Sequence, residues 1–261
     1  MKKLTISSFA LATLAAVAMI LGTSSAFAQS ASGTFNFSLS ATAPAGPYWQ
    51  GGHGDIDIHE HTPGNWEIHY HFHAELLGNA PTGGNGFPGT PAEEGPPEWA
   101  WEWESDALTT WIDTGVPSLA LTRPVGTQWD FTGVSSGQTL YVLPTTQVAG
   151  LPFIGFSAED HTFDVIYTLG AVTGGTISAW TADGFGNPTA LWSSSSPGDT
   201  LDNNSLAVLA GGHEHVFIGF SQVGDYTAEI STVPEPSTYA LLGLGAGALA
   251  LLRWRKRSRQ S

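Results

Sequence analysis

Residues 53–75 read HGDIDIHEHTPGNWEIHYHFHAE and hold six of the nine histidines in the chain. Taken with period two, the odd positions carry His53, Asp55, Asp57, His59 and His61, then Glu67, His69, His71 and His73 beyond a turn at 62–65. The even positions carry Ile56 and Ile58, then Trp66, Ile68, Tyr70 and Phe72. Side chains alternate across a strand, so each segment predicts one apolar face and one face of imidazoles and carboxylates. A solvated outer face would normally use serine, threonine or lysine, and the odd positions from 53 to 61 have none. Imidazole and carboxylate are ligands for zinc, and also for copper, nickel and iron, with copper the tightest binder. A second pair, His213 and His215, follows a Gly-Gly step in GGHEHVFIGF. The expectation is one converging site of His53, Asp55, His69, His71, His213 and His215, a four-ligand subset of which binds zinc. His59, His61 and His73 form a second tier. His161, in SAEDHTF, reads as a solvated turn residue.

Those side chains need strands to aim them. If both apolar faces point into one core, His61 opposes Glu67, His59 opposes His69, Asp57 opposes His71 and Asp55 opposes His73, because a one-residue slip would turn one strand over. Further short strands are expected near 33–40, 107–113, 139–143, 153–157, 162–169, 175–181, 216–220 and 225–231, separated by Gly, Pro, Asn and Asp turns. The predicted class is all-β, an antiparallel β-sandwich with a jelly roll as the near alternative, flanked by an N-terminal signal helix and a C-terminal membrane helix. Residues 78–97 are rich in Pro and Gly and predict a long surface loop. Trp99, Trp101 and Trp103 alternate in EWAWEWE, which predicts indoles on one strand face, either in the core or as a platform for sugar.

The two ends differ from the middle. Lys2 and Lys3 precede an apolar stretch, and Ala26-Phe27-Ala28 is a small-x-small site, so residues 1–28 predict a signal peptide cut by signal peptidase after Ala28. Residues 29–231 form the expected metal-binding domain. Between 29 and 233 a single arginine, Arg123, stands against 22 acidic residues, a formal charge of −21. Such a surface repels nucleic acid and gathers cations. Cysteine is absent, so no disulfide braces the fold and no thiolate can hold a metal.

The last stretch, 232–261, has Pro234-Glu235-Pro236, an apolar run from Tyr239 to Leu252, and a basic cluster ending at Arg259. The run is short for a bilayer that takes about 20 residues. The order of motif, helix and basic tail resembles the PEP-CTERM sorting signal of Gram-negative, exopolysaccharide-producing bacteria. That resemblance implies export, transient anchoring by the C-terminal helix, recognition by an exosortase, and cleavage near Pro234, Glu235 and Pro236. The cell surface or extracellular matrix is the implied destination.

GGHGDIDI, WEIHYH, LYVLPTTQVAGLPFIGFSAED and GGHEHVFIGFSQVGDYTAEI also occur in an order similar to the choice-of-anchor M domains of surface-anchored proteins. The likeness is greatest to PEP-CTERM proteins repressed by the zinc uptake regulator. It implies zinc capture outside the cell during zinc limitation, with a zinc transport system downstream. Its G-H-x-D motif falls on His53 and Asp55, and its H-x-H motifs on His69 and His71 and on His213 and His215. Where the family continues with Asn-Trp, this chain has Phe217-Ile218.

The expected function is therefore a non-enzymatic, surface-displayed zinc-binding protein. The alternatives are an extracellular-matrix or adhesion module that places tryptophans on exopolysaccharide, and a metal-dependent hydrolase with an open ligand position. No H-E-x-x-H motif is present to favour the last.

Overall fold

The structure is a computed structural model that describes residues 30–62, 65–73, 82–84, 102–106, 111–113, 120–159, 161–195 and 204–234. At 61–62, 73, 82, 84, 102–106 and 233–234 only the backbone is described. The expected signal helix, the membrane helix, Ala28, Glu235 and Pro236 lie outside the described residues, as do Trp99, Trp101 and the side chain of Trp103. Among the described residues no helix is long and apolar enough to cross a membrane.

Most strands are short, and many are rich in β-branched or aromatic residues, which suits a half-buried pleated surface. In chain order they begin with β1 (Ala31–Ser38), β2 (Tyr48–Thr62), β3 (Asn65–His73), β4 (Thr82–Gly84), β5 (Glu102–Asp106) and β6 (Trp111–Asp113). Then come β7 (Ala120–Thr122), β8 (Thr139–Leu143), β9 (Pro152–Ser157), β10 (Val165–Thr173) and β11 (Ile177–Ala182). The last are β12 (Pro188–Ser193), β13 (Ser205–Val208), β14 (His213–His215), β15 (Phe217–Phe220) and β16 (Asp225–Pro234). A 3₁₀ helix spans Thr127–Thr132. The β4 strand falls inside the stretch expected to be loop, and it pairs with β2.

Among the described residues eleven strands form one sheet, in the order β13-β10-β16-β1-β6-β2-β3-β5, with β4 and β9 also on β2 and β14 on β9. Five form a second, β12-β11-β15-β8-β7. The all-β expectation holds, but the pairing is not uniformly antiparallel: β1 with β6, β2 with β6, and β2 with β9 run parallel. The long β2 changes partners along its length. Tyr48 and Trp49 pair with β4 on one side and β6 on the other, Gly51 pairs with β4, and from Gly52 onward the strand pairs with β9 and β3. Gly52 has φ 85 at that switch, a left-handed conformation that glycine adopts without steric cost.

One apolar core draws on both sheets: Phe35, Tyr70 and Tyr226 from the larger, Ile177, Ile218 and Phe220 from the smaller. The smaller sheet buries its other face too, where Leu140, Val142 and Trp180 pack with Phe131 of the 3₁₀ helix. Asn204 ties the sheets together. Its Oδ1 accepts the Ser193 N–H at 2.7 Å on β12, and its Nδ2 donates to the Leu169 carbonyl at 3.0 Å on β10. Arg123 is buried and ion-paired to Asp130, so the domain's single cation is spent internally.

The β2–β3 hairpin keeps the expected faces with a different register. Ile56, Ile58, Ile68, Tyr70 and Phe72 are all buried on one side. However, His59 faces Glu67, Asp57 faces His69 and Asp55 faces His71, one pair away from the expected alignment. The cause is a bulge. The strands close at Thr62↔Asn65, which straight pairing would extend to put polar residues of β2 opposite apolar residues of β3. His61 is the extra residue that restores the parity.

Candidate metal centre

From 53 to 57 the polar face of β2 is as well buried as the apolar one: His53 is 7% exposed, Asp55 0% and Asp57 3%, whereas His59 beyond them is exposed. The neighbours of β2 explain the burial. Strand β9 runs parallel to β2 with His53↔Phe153 and Asp55↔Gly155. Strand β14 then lies antiparallel on β9 with His215↔Gly155 and His213↔Ser157. Asp55, Gly155 and His215 thus form one row across three strands, in a sheet whose strands are about 4.7–4.9 Å apart. Side chains two strands apart meet only if the middle position has none. A Cβ at Gly155 would collide with the Asp55 carboxylate and come within 3.0 Å of His215 Cε1.

Over that gap the ligand-type groups gather. One ring nitrogen each of His53, His213 and His215 lie within 4.8 Å of one another, and so do one ligand atom each of Asp55, Glu159 and His213. His213 belongs to both groups. His53 Nε2 is 3.3 Å from Asp55 Oδ1. The ring of Phe153 forms one wall, stacked on His215 with centroids 3.8 Å apart and tilted against His53 at 5.1 Å.

Two of the imidazoles are held by their Nδ1 atoms. His215 Nδ1 lies 3.0 Å from the Ile154 carbonyl, and His213 Nδ1 lies 2.5 Å from Glu159 Oε1. Both partners are acceptors, so each Nδ1 carries the proton, and in the neutral ring Nε2 keeps a lone pair. This is how histidine ligands are oriented and made more basic in metal sites. Burial lowers the His215 imidazole, helped by the charges of His53 and His213 and opposed by the Ile154 bond and Asp55, so it favours the neutral form. Burial also pulls His213 down, but the Glu159 hydrogen bond and the charges of Asp55, Glu159 and Glu214 outweigh it and leave His213 above its ordinary value.

Of the expected ligands, His53, Asp55, His213 and His215 come together. His69 and His71 sit on β3, on the other side of β2 from β9, where His71 Nδ1 points to Asp57 Oδ2 at 3.7 Å. His59 packs beside His69 with ring centroids 5.6 Å apart, and for His61 and His73 only the backbone is described. Two residues were not foreseen. Glu159 follows β9 and reaches the site because β14 pairs there, which no local pattern reveals. His161 is not solvated: its side chain is 9% exposed and its Nε2 lies 2.8 Å from the Ile58 carbonyl. The β2–β9 ladder stops at Ile56↔Phe156, and β2 carbonyls beyond it need donors. Tyr167 Oη serves Ile56, and His161 serves Ile58. The signal was the AEDH run itself, an acid-and-histidine cluster directly after a strand.

Residues 232–257 match the PEP-CTERM protein-sorting motif. The PEP-CTERM motif carries export and membrane-anchored sorting at the C-terminus, with an exosortase as the general sorting partner. No curated protein and no solved structure matches the chain. Strand β16 runs into the PEP-CTERM motif, with Pro234 still paired to Val165 of β10.

Proposed function

We propose that this chain is an exported, cell-surface zinc-binding protein that captures or stores zinc, without enzymatic activity, when the metal is scarce. The observation that carries the reading is the mutual approach of His53, His213 and His215, with Asp55 and Glu159 at their side. Three imidazoles and a carboxylate complete a tetrahedral zinc shell. Imidazole donors favour zinc, copper or nickel over calcium and magnesium, which take oxygen ligands. The PEP-CTERM motif supports a role outside the cytoplasm, and the strongly acidic domain would concentrate cations around itself. The likeness to zinc-regulated choice-of-anchor M proteins points the same way and suggests a zinc transport system as recipient.

Calorimetric titration of tag-free, metal-stripped protein with zinc tests the proposal. Binding that H213A/H215A weakens at least a hundredfold is expected. Binding that is absent in the native protein, or unchanged in the double variant, would reject the site.

A further inference from the structure

We propose a binding cleft for a neutral saccharide at one end of the smaller sheet, carried by Gln138, Thr139, Tyr141 and the 221–223 turn. It stands apart from the metal centre. Strand β15 begins two residues after His215, so the centre lies before its start, whereas the cleft opens beyond its last residue, Phe220.

The topology opens the cleft. The β15–β8 ladder ends at Phe220↔Tyr141, and the chain turns away at Ser221. Strand β8 reaches two residues past that row, still paired to β7 at Leu121↔Leu140 and Thr122↔Thr139. The notch beside Thr139 has a volume of about 370 Å³, with Val134, Ser135 and Gln138 on one side and residues 221–223 on the other. Sites for small molecules usually span about 300–1,000 Å³.

Both walls are set without a ligand. Tyr226 Oη accepts the Gln222 N–H at 3.0 Å and donates to the Gln222 carbonyl at 2.8 Å. Gln222 Nε2 donates to the Gly174 carbonyl at 2.7 Å, and Ser221 Oγ accepts the Thr176 N–H at 2.9 Å. Across the cleft, the Arg123 N–H donates to the Gln138 carbonyl at 2.8 Å and the Gln138 N–H to the Ser135 carbonyl at 3.0 Å. Preset walls spare the ordering cost that weakens association.

The lining selects the ligand. In a domain of formal charge −21, no acidic or basic side chain is among the described residues that line this cleft. Phosphates and carboxylates find no cation there, and amines and metal ions find no anion. What the cleft offers is the hydroxyls of Ser135, Thr139 and Tyr141 and the carboxamides of Gln138 and Gln222, groups that both donate and accept. Beside them stand Val134, the Tyr141 ring and Val223, which is 51% exposed at the mouth. A purely apolar ligand would strand the polar groups. A sugar matches the whole set: its hydroxyls donate and accept, and its ring carbons cover the apolar surface.

Heteronuclear NMR of tag-free protein, isotope-labelled in the producing cells, tests the proposal. The neutral probes are glucose, galactose, mannose, maltose and the polymer dextran, with galacturonate as the anionic control. The side-chain amide signals of Gln138 and Gln222 should move and saturate with at least one neutral probe and stay in place with galacturonate. A response to dextran alone supports the cleft with a polysaccharide segment as ligand, and a response to the free sugars alone supports it with a soluble saccharide. Gln138→Ala, at an exposed position, should weaken binding about tenfold, and Tyr141→Phe, which keeps the ring, should weaken it less. Signals unmoved by every neutral probe, galacturonate bound as tightly as the sugars, or native affinity in Q138A would each overturn the proposal.

Discussion

His213 and Glu159, 54 residues apart in sequence, share a hydrogen bond of 2.5 Å at the edge of the sheet. Because the carboxylate accepts a hydrogen bond from Nδ1–H, it fixes the ring and leaves Nε2 facing the site. Glu159→Gln can still accept that hydrogen bond through its amide oxygen but carries no charge. Zinc affinity should fall about tenfold in E159Q and up to about a hundredfold in E159A. Competition against a chromophoric chelator measures it. Unchanged affinity in both would reduce Glu159 to a solvent-facing partner.

Gly155 is the gap through which Asp55 and His215 meet. Gly155→Ala should lower zinc affinity at least tenfold and destabilise the metal-free domain by about 1–3 kcal/mol, as overpacking does. Urea unfolding and zinc titration of the same samples check both halves. A G155A protein that binds zinc normally would show that the row is not the site.

Tyr167 Oη lies between the carbonyls of Ile56 (3.0 Å) and Ser157 (2.5 Å), where β2 and β9 part. Burial, with the nearby charges of Asp57 and Asp55, pushes the phenol well above its ordinary value. The folded state therefore favours the neutral form. Its contribution to stability is complete below pH 10.0 and lost as the pH climbs through the higher folded value. In an alkaline absorbance titration Tyr167 should be among the tyrosines that stay silent until the domain unfolds. Tyr167→Phe should remove that silent group and cost about 1–3 kcal/mol.

Asn204 adopts φ 47 and is the one non-glycine with positive φ among the described residues. Asparagine tolerates this conformation better than alanine. Asn204→Ala also strands the Ser193 N–H and the Leu169 carbonyl between the two sheets, so about 2–4 kcal/mol should be lost. Asn204→Gly, which relieves the backbone but not the lost bonds, should fall between the two. Equal midpoints for all three proteins in denaturant would contradict the bridging role.

The alternation of residues 53–73 made the hairpin, its two faces and half the site legible, because period two is a local property. Pairing between distant segments is not. The row of Asp55, Gly155 and His215 depends on a parallel β2–β9 contact and an edge contact of β14. Neither leaves a mark on neighbouring residues, and Glu159 was invisible for that reason. The register failed at one residue, since His61 reads as a ligand in the alternation and acts as the bulge in the backbone. His161 was misread because polarity suggested solvent, while a strand that outruns its neighbour demanded a donor.

The pairing of β1 with β16 sets the order in which the molecule can be completed. Ala31 lies beside Thr232, and Ser38 beside Asp225. The first strand made must therefore wait for the last, and β10 waits with it. At about 5–20 residues per second, synthesis of the intervening chain takes on the order of ten to forty seconds. Throughout that time β1 presents an unpaired edge, joined by β10 only over the last part of it, and such edges are the surfaces on which chains most readily join one another. Such a topology is slow to close and ties the fate of the N-terminal half to the arrival of the residues that carry the sorting motif.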